Sequence, residues 1–269
     1  MKSKKRELLQ IVVLLTAALI PYFVDFSFYM KKAIKAGVDI EFKEFLILDL
    51  GKYAISAALI LLILFFVIRK SNRESVFNEA GNEYYNYSYG WYWFCSKILG
   101  YQKCSLIRVP ISMQYKLLIN QVFHEYVFGS ENAYTHIDNE NITITARNGS
   151  RDTVNLVLAD TYPISEKLLP GVVSDFKTIM ITRENTGDGR RYISEAFCNQ
   201  VQAKVYQLVQ SGCNTINVFP TTNVVHNIRI VRNAFMKGGR GDIKHLYVFD
   251  QPNASDGDWR FSDKGTKIR

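Results

Sequence analysis

VNLVLA, residues 154–159, is the first of four short apolar runs; KTIMIT (177–182), INVF (216–219) and LYVF (246–249, with Ile243 beside it) follow. Runs of this length without a polar face suit strands buried on both sides. Between the second and third, Tyr192 to Gln210 reads as a helix that stops at Ser211-Gly212, with Gly212 as its C-cap. Between the third and fourth, Asn223 to Met236 reads as a second helix. It begins after Pro220-Thr221-Thr222 and is closed by Gly238-Gly239. Strand, helix, strand, helix, strand predicts an α/β domain with a mainly parallel, Rossmann-like sheet covered on both faces.

Upstream of these runs the pattern loosens. Ser112 to Val127 carries apolar residues at helical spacing: Met113, Leu117, Leu118, Val122 and Phe123. Asn141 to Ala146 alternates like a strand with one wet face, Ile142 and Ile144 inward, and a turn follows at Asn148-Gly149. Earlier lies a dense aromatic segment, Tyr84 to Phe94. It is either a pad at the membrane surface, where Tyr and Trp rings settle, or an element packed on the domain core.

Two longer apolar stretches stand at the N-terminal side. Leu8 to Met30 (LLQIVVLLTAALIPYFVDFSFYM) and Gly51 to Ile68 (GKYAISAALILLILFFVI) are each long enough to cross a bilayer as a helix. No small-x-small site follows the first, so it is expected to stay as an anchor. The loop between them, Lys31 to Asp49, is expected to form a helical turn around Phe45–Leu48. Lys2, Lys4, Lys5 and Arg6 precede the first span, and Arg69, Lys70 and Arg73 follow the second. The loop carries Lys31, Lys32, Lys35 and Lys43. Seven basic residues against four puts both termini in the cytoplasm, which makes this an inner-membrane protein with two spans. The expected division is a hairpin over 1–70, an aromatic connector over 71–109 and a cytosolic domain over 110–269.

The net charge of +8 calls for an anionic neighbour, lipid headgroups ahead of nucleic acid. Cys95, Cys104, Cys198 and Cys213 form no CxxC, and no His pair has zinc spacing. They read as reduced, buried thiols, and neither a structural metal nor a cofactor is expected.

Open parallel sheets bind ligands beyond the carboxyl ends of their strands. Three loops fall there: Asp160–Tyr162, Arg183–Arg191 and Pro220–Asn223. In the second, Arg183, Asn185, Arg190 and Arg191 accompany two glycines and lead into a helix start, a pattern suited to phosphate. It is neither a G-x-G-x-x-G nor a Walker motif. In the third, Thr221, Thr222 and Asn223 are helix caps first and ligand contacts second. His226, one turn on, reads as a buried histidine or as one facing the same cleft. No catalytic set is evident. Asp160 and Glu195 are the only acid/base pair to test, as in a membrane-tethered enzyme acting on a nucleotide. In the first span, Pro21 introduces a kink and Asp25 is costly in lipid. These two are the candidate residues for a hairpin that repacks or lines a polar lumen in a homo-oligomer.

This layout resembles the two-transmembrane effectors of prokaryotic anti-phage defence, in which a short membrane hairpin precedes a cytosolic sensing domain. INVFPTTNVVHNIRIVRNAF, Ile216 to Phe235, is similar to the late strand–loop–helix of CARF and SAVED domains, which sense cyclic oligonucleotides in CRISPR and CBASS systems. A SAVED domain holds two CARF-like halves and this chain has room for one. Two-span effectors attached to retrons share the layout. The resemblance therefore implies an abortive-infection effector. Its partners would be the lipid bilayer and either a cyclic oligonucleotide, another phosphate-bearing ligand, or a retron or other nucleic-acid–protein complex. A structural anchor that recruits a partner protein is the remaining reading.

Overall fold

Apolar side chains cover the first two helices on nearly all sides. The computed structural model describes residues 4–23, 32, 35, 53–79, 83–129, 133–138, 140–184, 187, 190–236, 243–251 and 259–269. There α1 spans Lys5–Phe23 and α2 spans Tyr53–Arg73. Leu9 is 63% exposed and Phe66 70%, surfaces that need lipid rather than water around them. The two helices run antiparallel. Tyr22, late in α1, meets Tyr53 at the start of α2 edge-on, with ring centroids 5.9 Å apart. Arg6, early in α1, donates to Ser71 and Ser75 at the other end of the pair. Between these points Ser56 Oγ donates to the Ala18 carbonyl at 2.9 Å, where buried Ala17 and Ser56 are small enough for close approach. Pro21 lies within α1 and has no N–H for the carbonyl one turn back. The second helix continues past the expected end at Ile68, through a π-helical turn over Ile63–Arg69. Asp25 and the run Phe45–Leu48 lie outside the described residues.

Two compact units make up the chain: Met1–Gly81 with Trp93–Lys103, and Asn82–Tyr92 with Cys104–Arg269. Within the first, polar groups form a collar at one end of the hairpin. Glu7, 4% exposed, accepts a hydrogen bond of 2.9 Å from the Tyr101 hydroxyl. Asn72 is fully buried, exchanges amide hydrogen bonds with Gln10 and donates to the Leu99 carbonyl at 2.9 Å. Arg69 donates to the carbonyls of Lys97 and Ile98. Gly100 takes φ +84°, and a Cβ there would stand 2.8 Å from the Arg69 side chain. Strand β1 (Val76–Phe77) follows α2, and Phe77 packs edge-on against Tyr101. The aromatic segment turns out to hold the helix α3 (Tyr89–Lys97). Tyr85 and Tyr92 are buried while Tyr84 and Trp93 are exposed, so it is neither wholly pad nor wholly core.

The second unit is built on a six-stranded sheet. After β2 (Lys103–Ser105), α4 (Ile111–Ile119), β3 (Glu125–Val127) and β4 (Thr135–Ile137) come β5 (Ile142–Arg147), β6 (Ser150–Ala159), β7 (Phe176–Arg183) and β8 (Tyr192–Ser194). Then follow α5 (Glu195–Gln210), β9 (Thr215–Pro220), α6 (Val224–Ile230), β10 (His245–Val248) and β11 (Thr266–Lys267). The sheet order is β11-β10-β9-β6-β7-β5. The four strands drawn from the apolar runs lie in the middle and are parallel, with Leu156 between Ile179 and Val218, and Val218 beside Val248. Both edges are antiparallel, so the sheet is mixed. Ile144, expected to face inward, is 37% exposed because β5 is an edge strand with little cover.

One face of the sheet buries Val157, Ala159 and Phe219 against Ile164, Val173, Phe249 and Phe261. On α5, Phe197, Cys198, Val201, Val205 and Leu208 form a buried stripe at helical spacing. A polar row crosses the middle of the sheet. Asn217 donates to Asn155 at 3.1 Å, and Asn155 donates to Thr178 and to the Val173 carbonyl, so all these buried groups are satisfied.

Helix limits differ from the sequence reading in three places. Tyr192–Ser194 is strand, paired in parallel with β4, and the helix starts only at Glu195. The helix expected from Ser112 to Val127 ends at Ile119, and Glu125–Val127 is strand. The helix from Asn223 is α-helical to Ile230 and π-helical over Val231–Met236. The glycine pair 238–239 lies outside the described residues.

Candidate functional site

Asp160 follows the last residue of β6 directly and is fully buried. Thr221, Thr222 and Asn223 follow β9, and Arg183 ends β7. The strand order reverses at β6, since β7 lies on one side of it and β9 and β10 on the other. That switch point, at the carboxyl ends of the strands, is where open α/β sheets bind ligands.

Here the chain fills the crevice with its own side chains. Asn223 caps α6, its Oδ1 accepting from His226 N–H at 3.0 Å. Its amide nitrogen donates to the Tyr192 carbonyl and to Asp160 Oδ2, and its backbone N–H also donates to Oδ2, at 3.0 Å. The cap places His226 on the first turn, with Nδ1 2.6 Å from Asp160 Oδ2. His226 Nε2 accepts the Ser194 N–H at 2.9 Å, so the ring proton sits on Nδ1 and is donated to the carboxylate.

Arg183 completes the cluster. Its fork makes two bonds of 2.9 Å to Glu140, and Nη1 donates to Asp160 Oδ1 at 2.8 Å. Its guanidinium also lies 4.7 Å from the centroid of the Tyr192 ring. The Glu140 side chain is 0% exposed and that of Arg183 1%. Burial works against the charged form of Asp160. The His226 N–H, the Arg183 guanidinium and the Asn223 N–H outweigh it and hold the carboxyl below its ordinary range.

This arrangement has the outline of a serine–histidine–aspartate set without its chemistry. His226 meets the backbone of Ser194, and the Ser194 hydroxyl accepts from Phe197 N–H as the cap of α5. Both ring nitrogens are engaged. Glu195 pairs with Arg229, so the acid/base pair Asp160–Glu195 does not form. Two carboxylates share one guanidinium, and all three side chains are closed off from solvent, so the cluster offers no open cation to a phosphate. Among the described residues no group of His, Cys, Asp or Glu is placed to hold a metal ion.

The crevice thus brings together Arg183, Thr221, Thr222 and Asn223, but turned inward. Thr221 Oγ1 accepts from Asp160 N–H at 3.2 Å, and Thr222 hydrogen-bonds Asn227. Arg190 and Arg191 are exposed, and β8 separates them from the helix start they were expected to enter. Asn185 lies outside the described residues. Sequence reasoning missed Glu140 and Ser194, which have no motif around them. Asn223 at a helix start was the one available signal, because a cap points at whatever precedes it.

A helical hairpin clad in apolar side chains, joined to an α/β unit, defines a two-span membrane protein. The chain belongs to the SUa-2TM family, the SMODS- and Ubiquitin system-associated 2TM effector domain, whose model matches residues 1–266. This agrees with the resemblance to two-transmembrane effectors. No curated protein matches the chain. Among solved structures it is similar to the Acinetobacter baumannii Cap4 SAVED/CARF-domain containing receptor with the cyclic trinucleotide 2'3'3'-cAAA. That match has 7% identity and a TM-score of 0.45, and it covers 66% of this chain and 41% of the receptor. The chain therefore spans about two fifths of that receptor's length.

Proposed function

We propose that this chain is a membrane effector of anti-phage defence. In this reading its α/β unit senses a nucleotide or a nucleic-acid-linked signal in the cytoplasm. Hairpins gathered in a homo-oligomer then disrupt the inner membrane, which aborts infection. Both termini are cytoplasmic, following the basic flanks of the two spans. Pro21 and Asp25 are the hairpin residues that let it repack, and Arg190 and Arg191 are solvent-facing candidates for the signal.

The observation that supports this most is that one effector-domain family spans both hairpin and α/β unit. The unit is continuous with the effector family rather than an unrelated passenger. The fully buried cluster at the strand ends favours a sensor over an enzyme, since no titratable side chain there reaches solvent.

The test is membrane potential in cells expressing the full chain, read with a potential-sensitive dye during phage challenge. Depolarisation is expected for the wild type and is expected to be lost in Pro21→Ala or Asp25→Asn at equal protein level. A chain that protects cells without any depolarisation overturns the membrane-disruption reading.

A further inference from the structure

The collar at the base of the hairpin fixes a depth as well as a fold. The apolar run of α1 begins at Leu8 and that of α2 ends at Ile68. Glu7 and Arg69 are thus the first residues outside the hydrocarbon on one side of the bilayer. Both hold the loop that follows α3. Arg69 Nη1 donates to the Lys97 carbonyl at 2.7 Å and to the Ile98 carbonyl at 3.1 Å, and the Tyr101 hydroxyl donates to Glu7 at 2.9 Å. Gly100 comes so near that a Cβ on it would stand 2.9 Å from the Cβ of Arg69. Lys97, the last residue of α3, therefore lies at the level where the two spans leave the bilayer core.

Trp93 is one turn earlier on the same helix. A helical turn rises about 5.4 Å, and the headgroup zone on each side of a bilayer is about 5–8 Å deep. Whatever direction α3 takes from Lys97, Trp93 is within reach of that zone. Its side chain is 45% exposed and Lys97 is exposed, whereas Cys95, Ser96 and Leu99 are buried. Residues four apart share a helix face, so this turn presents an indole and an ammonium group together, away from its packed side. Lys70 and Arg73, at the end of α2, are exposed too. Among the described residues no acid pairs with Lys70, Arg73 or Lys97, and Glu74, next in sequence, pairs with Lys103.

We infer that the last turn of α3 is a membrane-surface contact that takes anionic phospholipid. Trp93 seats its ring in the headgroup layer, and Lys97, with Lys70 and Arg73, meets the phosphates. Indole rings settle at that depth because one end is apolar and the other donates a hydrogen bond. Cations beside them are drawn to an anionic leaflet. The loop between Lys97 and Tyr101 then ties this surface contact to both spans. The inference rests on the two-span reading of the hairpin and is independent of membrane disruption.

The experiment places the full chain in phosphatidylcholine vesicles with and without phosphatidylglycerol, using lipid brominated on the upper acyl chain. Bromine quenches a tryptophan it touches, and the difference between wild type and Trp93→Phe reads residue 93 alone. Trp93→Phe is expected to remove a quenched component that the wild type shows. Lys97→Glu, on an exposed side chain, is expected to lose that component in phosphatidylglycerol vesicles and to keep it in phosphatidylcholine alone. Quenching unchanged by Trp93→Phe overturns the contact. A Lys97→Glu chain that matches wild type in both lipids overturns the preference for anionic headgroups. Release of the wild-type chain from the vesicles by alkaline carbonate overturns the two-span reading itself.

Discussion

His226 donates its ring proton to Asp160 across the switch point of the sheet, at 2.6 Å and with both side chains wholly buried. Removing one member of such a cluster strands the others. Asp160→Asn leaves Arg183 with Glu140 alone and is expected to cost about 3–5 kcal/mol. Hydrogen exchange across β6 and α6 in the full chain is the measure. Protection equal to wild type would show that the cluster does not hold the sheet ends together.

The same carboxyl carries a pH dependence. Its folded value lies below the unfolded one because His226, Arg183 and Asn223 outweigh the burial that opposes them. Its contribution is therefore complete above about pH 4, the unfolded value, and fades as pH falls through the lower folded value. Thermal melting of the wild type between pH 7 and pH 3 should steepen only in that acidic window. Asp160→Asn should lack that component of the slope.

Asn223 separates capping from charge. Asn223→Ala removes the cap and two donors and is expected to cost about 2–4 kcal/mol. Asparagine and aspartate cap helices about equally well in isolation. Here, however, Asn223→Asp loses the amide donors and brings another carboxylate against Asp160 Oδ2. The aspartate variant should be the less stable of the two by urea unfolding, and the opposite order would refute the network as drawn.

All four cysteines are buried and unbridged, and burial pushes the Cys198 thiol up to about 12. A disulfide-exchange reagent at pH 8 should label none of them in the native chain within minutes and all of them in denaturant. Fast native labelling would place at least one thiol at the surface.

At the polar collar, Tyr101→Phe leaves the buried Glu7 carboxylate without its donor and should lower stability by about 1–3 kcal/mol. Burial, aided by Glu7, raises the Tyr101 hydroxyl above its usual value, so it stays a donor through the accessible pH range. Thermal denaturation in detergent checks this. Glu7→Leu with Tyr101→Phe should recover part of the loss, since both partners are then apolar.

The sheet's middle was legible for a physical reason. Strands covered on both faces have no solvent-facing polar side, so VNLVLA and INVF stand out as short apolar runs despite the single asparagine in each, Asn155 and Asn217. The edges were not. Thr266–Lys267 pairs through two residues, and Ile142–Arg147 is nearly all exposed. At the site, Thr221 to Asn223 were legible as a cap from residue type alone. The inward turn of Arg183 was not, because its partner Glu140 lies 43 residues away in a polar loop and carries no periodic signal. Asp160 and His226 are separated by 66 residues, and only the strand order brings them together.

The two-residue strand β11 has a consequence in time. β10 is the outermost parallel strand, and β11 with Ile268 is what covers its far edge, Ile268 N–H donating to the Leu246 carbonyl at 2.8 Å. A ribosome makes β10 first. Until residues 266–269 emerge, that edge is an open template on which the same strand of a neighbouring nascent chain can pair. Gly265 sets the approach, since a Cβ there would meet the Phe249 ring at 2.6 Å. These few residues thus end an interval of vulnerability during synthesis, and shortening or blocking them should appear first as inclusion bodies rather than as a lower melting point.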